Sequence, residues 1–398
     1  MFATLSRSSV SLAVVVAGGT CLLYLIRRHK RTSTPAIRYS PRPVKAPPKA
    51  LFFGPAKEFA EPVKRALDSN WQIVTVEREA DVDVLKQLAR ESTALVGGLA
   101  MANTLLRSSD PARLKLLQCH FTGTDWLDKS AIPKGVHVCS CAGAMDAPIA
   151  EWVIGVILRA GLHLDVEDAA MRKRCADALA AGNDDGFAPP FFAQPRAPFR
   201  TELSGLTVGL IGYGHIGSAI AHRAAAFGCR VVATVGRERP PREAPSSLSW
   251  LGGRGDLPTL LKESDFVVMA CPLNDTTRGL MNKETLALLK PSAYLINIAR
   301  GQVVDEDALF EALKSGKLGG AAIDVWWKLP GIASGGLSTS CAPYDLAKHP
   351  FHELPNVLLS PHTSGWSSAQ LERRIKTVAA NLDAIYRGEA PANVVATG

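Results

Sequence analysis

The chain has 398 residues, of which 47% are hydrophobic and 21% are charged, and this composition excludes a disordered or collagen-like protein. The length is enough for about two to three domains. The net charge of +8 is concentrated in residues 1–50, which carry nine Lys or Arg residues and no acidic residue. The rest of the chain is close to neutral, so its bulk charge does not indicate a nucleic-acid-binding surface.

The chain begins with a hydrophobic segment, residues 1–31. Residues 9–26 carry no charge, and the basic cluster RRHKR follows them. As a helix, this run would span about 27 Å, close to the thickness of a bilayer core. We therefore predict a retained single-span membrane anchor, with the body facing the cytosol by the positive-inside rule. The alternative is a cleaved mitochondrial or plastid targeting segment. Residues 32–49 contain five prolines and are predicted to be an extended linker.

The eight cysteines are scattered along the chain, with no CxxC pair and no histidine at zinc-site spacing. This pattern predicts reduced thiols and no metal site.

Beyond residue 50, short apolar runs alternate with helical stretches in two series, which predicts an α/β fold with two doubly wound parallel sheets, each resembling a Rossmann domain. Residues 148–159 are apolar nearly all round and are expected to form a buried helix between the two units. The final helix, residues 367–387, is expected to return to the first unit. We predict strands at residues 50–53, 71–76, 94–97, 114–119, 207–211, 230–235, 265–270, 293–298 and 320–325.

A glycine-rich motif, GYGHIG, follows the predicted strand at residues 207–211 and opens a predicted helix. In this context Gly212 allows a tight turn, Gly214 lets the backbone approach a pyrophosphate, and Gly217 lets helix and strand pack closely. The helix N-terminus offers free N–H groups and partial positive charge to phosphates. The motif predicts a dinucleotide-binding loop of six residues, which are Gly212, Tyr213, Gly214, His215, Ile216 and Gly217.

The residues after the next strand indicate which dinucleotide is bound. An NAD enzyme carries Asp or Glu there, to bind the ribose 2′-hydroxyl, whereas this chain has Val235. Arg237 and Arg239 follow, and guanidinium groups can pair with a 2′-phosphate. The alternative is that both arginines are merely solvated loop charges. The pattern favours NADP(H) over NAD(H).

Several motifs occur in an order that resembles the D-isomer-specific 2-hydroxyacid dehydrogenases, over about residues 50–395. The resemblance implies a substrate-binding catalytic domain (50–160 and 350–398) and an NAD(P)-binding Rossmann domain (161–349), with the active site in the cleft between them, and a homodimer. The segments that carry it are KLLQCHFTGTD (115–125), IAE (149–151), ELSGLTV (202–208), the glycine motif, DFVVMACPLNDTTRGL (265–280), NIARG (297–301), AAIDV (321–325) and PHTSGW (361–366).

The chemistry of a 2-keto acid reductase assigns roles to these motifs. His362 is the candidate proton donor, because imidazole titrates near neutral pH. Arg300 is the candidate clamp for the substrate carboxylate and carbonyl, because guanidinium binds carboxylate in a bidentate manner. Backbone N–H groups of Gly97, Gly98 and Leu99 would bind the other carboxylate oxygen. The resemblance also places four residues at the cofactor along with His362: Pro272, Thr276, Ile298, and Asp324, the last at the nicotinamide carboxamide.

One position departs from the family pattern. The family places a glutamate five residues after the aspartate of AAIDV, where it hydrogen-bonds the histidine and raises its pKa, but this chain has Leu329. We therefore expect a lower pKa for His362, unless Asp345 or Glu353 substitutes. Trp326 and Trp327, just before this position, could narrow the cleft or pack the hinge.

The predicted function is hydride transfer between NADPH and a small 2-keto acid such as glyoxylate or hydroxypyruvate. One alternative is a non-catalytic nucleotide-sensing scaffold of the corepressor type, which the missing glutamate favours slightly. The other is a formate dehydrogenase-like enzyme, but those enzymes carry an asparagine where this chain has Met145.

Overall fold

The structure is a computed structural model, and it describes residues 10–17, 20–27, 46–76, 81–181, 201–237, 244–328 and 347–398. The chain divides into two compact units, Met1–Ala46 and Pro47–Gly398. Most of the predicted linker, residues 32–45, lies outside the described residues, as do Arg239, Leu329 and Asp345.

The first unit contains two antiparallel strands instead of the predicted membrane-spanning helix. Strand β1 (Val10–Ala17) pairs with β2 (Thr20–Arg27) along its full length. Across the described parts of the chain, helices of the length and hydropathy needed to cross a membrane are absent. The prediction of a single-span anchor with the body facing the cytosol is therefore wrong, and the predicted membrane partner is not supported. The run is rich in valine, which favours strands, and two glycines, which are unfavourable inside a helix, interrupt it in the sequence.

The second unit contains two sheets. Its strands are β3 (Lys49–Phe52), β4 (Gln72–Thr75), β5 (Ala94–Val96), β6 (Leu116–Gln118), β7 (His137–Cys139), β8 (Thr207–Ile211), β9 (Arg230–Thr234), β10 (Trp250–Gly252), β11 (Phe266–Met269), β12 (Tyr294–Asn297), β13 (Gly320–Ile323), β14 (Val357–Leu359) and β15 (Val394–Thr397).

Helices connect most of these strands. They are α1 (Ala60–Ala66), α2 (Val82–Glu91), α3 (Ala100–Ser108), α4 (Asp146–Leu162), α5 (Leu164–Ala180), α6 (His215–Ala226), α7 (Leu257–Glu263), α8 (Lys283–Leu286), α9 (Glu306–Lys314) and α10 (Ser368–Arg387).

The six-stranded sheet has the order β15-β7-β6-β5-β3-β4, and only β15 runs antiparallel to its neighbour. The chain order reverses between β3 and β5. In open α/β sheets, ligands bind at the carboxyl ends of the strands beside such a reversal. The residues that follow β3 and β5 are therefore the place where this sheet can offer a binding site.

The seven-stranded sheet has the order β10-β9-β8-β11-β12-β13-β14, and all its strands are parallel. All five residues of β8 are buried, as expected for a parallel strand covered on both faces. Its chain order reverses between β8 and β11, so the turn after β8 occupies the corresponding ligand-binding position. The predicted α/β fold with two Rossmann-like parallel sheets is confirmed.

The last helix joins the C-terminal end of the chain to the six-stranded sheet. Val378 and Leu382 of α10 are fully buried in one apolar cluster with Phe52 of β3 and Leu116 of β6. Burying each such side chain contributes about 1.5–3 kcal/mol. The helix begins after Ser367, whose Oγ accepts a hydrogen bond from the N–H of Gln370 (3.2 Å). The prediction that this helix returns to the first series of strands after residue 50, which forms the six-stranded sheet, is confirmed.

Helix α4 packs against the seven-stranded sheet. Ile149, Ala150 and Val153 share an apolar cluster with Val208 of β8 and Ile220 of α6. The sequence did not predict the next helix, α5, because its polar residues are spread around the whole surface. The domain boundaries at residues 160 and 350 stay a prediction. Strand β14 follows residue 350 in the sequence, but it belongs to the seven-stranded sheet and not to the six-stranded one.

Candidate active site

The glycine motif forms the turn between β8 and α6. Gly212 has φ 109°, and a Cβ atom there would lie 2.5 Å from the carbonyl oxygen of Ala270. A Cβ atom on Gly217 would lie 2.4 Å from the carbonyl oxygen of Gly212. No heavy atom lies within 4 Å of the corresponding position on Gly214, which precedes the first residue of α6. The loop therefore fits a pyrophosphate held against a helix N-terminus.

A pocket opens beside this turn, between the ends of β8, β9 and β11. Gly212 and Thr276 line it, together with Val235 and Gly236, which follow β9. Arg254 also lines the pocket, and the sequence analysis did not assign this residue. A lone arginine in the run GGRG carries no periodic signal. Its position in the pocket appears only once the loop before α7 is placed beside β9.

Of the remaining predicted cofactor residues, Tyr213 lies in the turn, His215 and Ile216 open α6, and Pro272 follows β11. Tyr213 Oη is 3.2 Å from Ser247 Oγ, and His215 Nδ1 is 3.6 Å from Asp146 Oδ2 of α4. The carbonyl oxygen of Pro272 accepts a hydrogen bond from Thr277 Oγ1 (2.7 Å). Ile216 is partly buried, Ile298 belongs to the buried core behind the sheet, and Arg237 is exposed.

The thiol of Cys271 also lines this pocket. Burial raises the pKa of Cys271 to about 11, so the group stays protonated near neutral pH. None of the six cysteines that the structure describes in the second unit forms a disulfide bond. Within the described residues there is also no cluster of side chains that could hold a metal ion.

Arg300 follows β12 and reaches across to the six-stranded sheet. Its Nε and Nη2 atoms both donate to Asp125 Oδ1, at 3.0 and 2.7 Å, and Nη1 donates to the carbonyl oxygen of Ala299 (2.7 Å). Asn297 fixes the backbone before it, since Asn297 Nδ2 donates to the carbonyl oxygen of Arg300 (2.9 Å). Asp125 is part of a motif in the sequence, but no local pattern pairs it with Arg300.

His362 lies on the loop that follows β14, and its φ of 61° is unusual for a residue other than glycine. This loop is held by Asp324, which is 1% exposed. The Asp324 carboxylate accepts hydrogen bonds from Ser360 Oγ (2.7 Å), from the N–H of Thr363 (2.9 Å) and from the N–H and Oγ of Ser364. These bonds fix the backbone on both sides of His362. The sequence did not predict that Asp324 holds this loop.

The charges around His362 show which side chains the fold brings to it. Desolvation is the main cause that lowers the pKa of His362, and the positive charge of Arg300 lowers it further. The negative charges of Asp324 and Asp125 oppose these effects. The sequence analysis expected a lower pKa from the missing glutamate, whereas the main cause here is burial, so that expectation stays a prediction. Asp345 and Glu353 were proposed to replace the missing glutamate, and the structure describes only Glu353. This residue is not among the groups that shift the pKa of His362.

The tryptophans near the departure from the family pattern pack against the protein. Trp326 Nε1 donates to the carbonyl oxygen of Ser360 (2.9 Å), and Trp327 Nε1 donates to the carbonyl oxygen of Val304 (2.7 Å). The Trp327 ring stacks on Phe351, with 5.3 Å between the centroids. Both indole groups therefore support the segment after β13 and the loop that carries His362.

The loop after β5 contains the predicted backbone donors of the substrate site. The N–H of Gly97 donates to the carbonyl oxygen of Gln118 (3.0 Å), so this group is not free to bind a substrate, contrary to the prediction. Leu99 has φ 66° and immediately precedes α3. A Cβ atom on Gly98 would lie 2.4 Å from the ring of Phe121, which explains the small residue there.

The chain matches a family model and several known proteins in sequence. The family model described as "D-isomer specific 2-hydroxyacid dehydrogenase, NAD binding domain" matches residues 174–364. A glyoxylate reductase of Thermococcus litoralis is 30% identical over 313 residues, which cover 78% of this chain and 86% of the relative. A hydroxypyruvate reductase of Thermotoga maritima is 31% identical over 296 residues, covering 74% of this chain and 81% of the relative.

Solved structures show the same fold. An NADPH-dependent glyoxylate/hydroxypyruvate reductase from Sinorhizobium meliloti, in complex with NADP and malonate, has a TM-score of 0.65 at 24% identity, covering 88% of this chain and 97% of that one. A Thermus thermophilus protein has a TM-score of 0.62 at 27% identity, covering 87% of this chain and all of that one. From these matches and the motifs, the chain belongs to the D-isomer-specific 2-hydroxyacid dehydrogenase family and is an NAD(P)-dependent oxidoreductase.

Proposed function

We propose that this enzyme reduces small 2-keto acids, of the size of glyoxylate or hydroxypyruvate, with NADPH as the preferred cofactor. The observation that carries the proposal is the grouping of three charged side chains, Arg300, Asp125 and Asp324, around the imidazole of His362: Arg300 pairs with Asp125, and Asp324 binds the backbone beside His362. Arg300 and Asp324 follow neighbouring parallel strands of the sheet that carries the glycine turn. The carboxyl ends of parallel strands meet at one edge, so the clamp and the nucleotide turn share that edge.

Each proposed role follows from the chemistry of its group. When bound, the reduced nicotinamide supplies a hydride to the carbonyl carbon of the keto acid. Arg300 holds the carboxylate and withdraws electrons from the carbonyl oxygen. His362, protonated, donates its proton to that oxygen, so the product is a neutral hydroxyl group and His362 is left as neutral imidazole. The N–H groups of Gly98 and Leu99 bind the second carboxylate oxygen.

The chain's own residues fit a dinucleotide, and three arginines support the preference for NADP(H). Gly212, Gly214 and Gly217 shape the pyrophosphate turn. Val235 cannot bind a ribose hydroxyl, and Arg254 lines the same pocket. Arg237 lies in the loop after β9, with Arg239 two residues later in the sequence. A phosphate on the ribose would therefore have guanidinium partners, whereas Val235 offers no carboxylate to a free 2′-hydroxyl at the position directly after the strand.

We also propose a homodimer, as the family resemblance implies. Light scattering coupled to size-exclusion chromatography tests it, and a mass near twice the 42.5 kDa of the chain is expected.

Oxidation of NADPH and NADH with glyoxylate, hydroxypyruvate and phenylpyruvate tests the proposed reaction. We expect turnover of the two small acids, with kcat/KM at least about tenfold higher for NADPH, equivalent to about 1.4 kcal/mol. Faster turnover with NADH would contradict the cofactor preference. Tight NADPH binding with no turnover of any keto acid would contradict the reaction and favour the nucleotide-sensing scaffold. Formate oxidation is the outcome expected of the other alternative, and Met145, just before α4, argues against it.

A further inference from the structure

The ion pair between Asp125 and Arg300 joins the two sheets beside the proposed proton donor. Asp125 lies in the loop after β6, and Arg300 follows β12. One oxygen, Asp125 Oδ1, receives hydrogen bonds from both Nε and Nη2. Both side chains are mostly shielded from solvent, with exposed fractions of 23% and 24%. Shielding of this degree makes the pair stronger and better ordered than a surface ion pair.

These contacts leave one end of the guanidinium free. Arginine has five N–H groups, and Asp125 and the carbonyl oxygen of Ala299 occupy three of those on Arg300. The two that remain are one on Nη1 and one on Nη2, and they have no hydrogen-bond partner among the residues that the structure describes. A carboxylate can bind this end through two parallel hydrogen bonds. Asp125 thus determines which edge of Arg300 is available to a substrate.

The loop that carries Asp125 is fixed to helix α3. Asn103 of α3 donates to the carbonyl oxygen of Trp126 (2.9 Å) and accepts from the N–H of Asp128 (3.0 Å). Trp126 Nε1 donates to the carbonyl oxygen of Gly123 (3.1 Å). Because α3 begins directly after Leu99, the proposed backbone donors and Asp125 belong to one bonded assembly.

Gly123 allows the guanidinium to lie against this loop. A Cβ atom at Gly123 would lie 1.6 Å from Arg300 Nη2, so any side chain at this position would clash with the guanidinium group. The loop thus holds Arg300 by a hydrogen-bonding carboxylate and by a surface without a side chain.

We propose that Asp125 is a positioning residue, which fixes Arg300 so that the free end of its guanidinium faces the substrate carboxylate. The inference rests on the proposed function, because it names how this same site holds a keto acid. Asp125 also places a negative charge near His362, in a chain that has Leu329 where the family has a glutamate. The charged groups that act on His362 are Asp324, Arg300 and Asp125, and removal of the Asp125 charge lowers the pKa of His362 further.

Two substitutions separate the geometry from the charge. Asp125→Asn keeps an oxygen acceptor for Arg300 but removes the charge, whereas Asp125→Ala removes both. Asp128→Asn is the matched control, because Asp128 lies in the same loop and pairs with Arg107 instead. For each protein, we would measure kcat and KM against pH, the affinity of the NADPH complex for oxamate by calorimetry, and the melting temperature. Oxamate is an unreactive analogue of a 2-keto acid, so its binding does not need turnover.

We expect Asp125→Ala to weaken oxamate binding and to reduce kcat/KM about 10- to 100-fold, as misplacement of a clamp does. At low pH, the kcat/KM of Asp125→Asn should stay within about threefold of the wild-type value. A decrease of this size corresponds to the loss of about one modest hydrogen bond. In both variants, the fall in reduction rate with rising pH should begin at lower pH than in the wild type. A purely structural role would not move this limb of the profile. Asp128→Asn should behave as the wild type.

The results distinguish failure of this inference from failure of the proposed function. If the wild type reduces keto acids, and Asp125→Ala keeps its melting temperature, its oxamate affinity and its pH profile, the positioning role is overturned and the function stands. If the wild type binds oxamate without turnover, the function fails, and the variants' oxamate affinities decide the positioning role. If the wild type neither binds oxamate nor reduces any keto acid, both are overturned.

Discussion

The nucleotide turn and the proposed carboxylate site are built in opposite ways. The turn consists of consecutive residues, and its shape depends on the absence of side chains at Gly212 and Gly217. The carboxylate site consists of charged side chains from both sheets, such as Arg300 and Asp125, which are 175 residues apart in sequence. Backbone groups recognise a phosphate wherever the turn is intact, whereas the charged site depends on the relative position of two sheets.

This difference predicts that substitutions on the two sides separate cofactor binding from keto-acid binding. Substitutions in the turn should weaken the dinucleotide complex, while substitutions in the charged site should leave that complex intact and impair turnover. A set of variants ordered by expected effect tests that separation.

The largest effect is expected for Arg300→Ala. It removes the proposed clamp and leaves Asp125 without a partner, so kcat/KM for glyoxylate should fall at least about 100- to 1,000-fold. Affinity for NADPH, measured by fluorescence titration, should change little. Arg172→Ala, which breaks an exposed pair with Asp168 on α5, is the control and should keep full activity. A parallel loss of NADPH affinity would contradict the separation of the two sides.

Gly217→Ala tests the nucleotide side. Its Cβ atom would lie 2.4 Å from the backbone oxygen of Gly212, which cannot move without opening the turn. Affinity for NADPH should fall about tenfold or more, as expected when a phosphate-binding backbone is displaced. Gly155→Ala in α4 is the matched control, since no atom lies within 4 Å of its Cβ position. Unchanged NADPH affinity in Gly217→Ala would contradict the proposed packing role.

Asp324→Asn tests the loop that carries His362. The Asp324 carboxylate is buried and accepts hydrogen bonds from Ser360, Thr363 and Ser364. In the variant, the asparagine NH2 group would replace one acceptor oxygen and would face groups that are themselves donors. The free energy of unfolding, from urea denaturation, should fall by about 1–3 kcal/mol. The value of kcat should fall as well, because the loop positions the imidazole. Unchanged kcat with reduced stability would show that Asp324 supports the fold alone.

The ease of prediction differed between the two regions for a physical reason. The roles of Gly212 and Gly217 follow from backbone sterics within six adjacent residues, and the resemblance supplied Arg300 and His362 as candidates. The pairing of Arg300 with Asp125 depends on the packing of two sheets, which no local pattern encodes. The prediction failed for residues 9–26 because hydropathy alone does not distinguish a spanning helix from paired strands of β-branched residues.

The pH dependence of reduction follows from the lowered pKa of His362. Reduction needs the protonated imidazole, and a lowered pKa means that this form is lost at lower pH than for an ordinary histidine. The rate of glyoxylate reduction should therefore begin to fall with rising pH below the range in which an ordinary histidine titrates, and the rate of oxidation of the hydroxy acid should rise over that same lower range. A reduction rate that stays constant to well above pH 8 would contradict this assignment.

The smallest effect is expected for Arg254→Ala at the edge of the nucleotide pocket. If the Arg254 guanidinium binds the 2′-phosphate, KM for NADPH should rise a few-fold in the variant, because one partly exposed charged contact contributes about 1 kcal/mol to binding. KM for NADH should not change. Arg278→Ala removes a neighbouring exposed charge that does not line the pocket and serves as the control. Equal changes for both cofactors would contradict a role in phosphate recognition.

The central claim is that a keto acid lies between Arg300 and His362, at the edge of the sheet that holds the dinucleotide. The most direct measurement is a crystal structure of the enzyme with NADPH and oxamate. We expect the oxamate carboxylate on the free end of the Arg300 guanidinium, and its carbonyl oxygen within about 3 Å of a His362 ring nitrogen, the distance of a hydrogen bond. Oxamate bound elsewhere, or with no contact to either side chain, would contradict the claim.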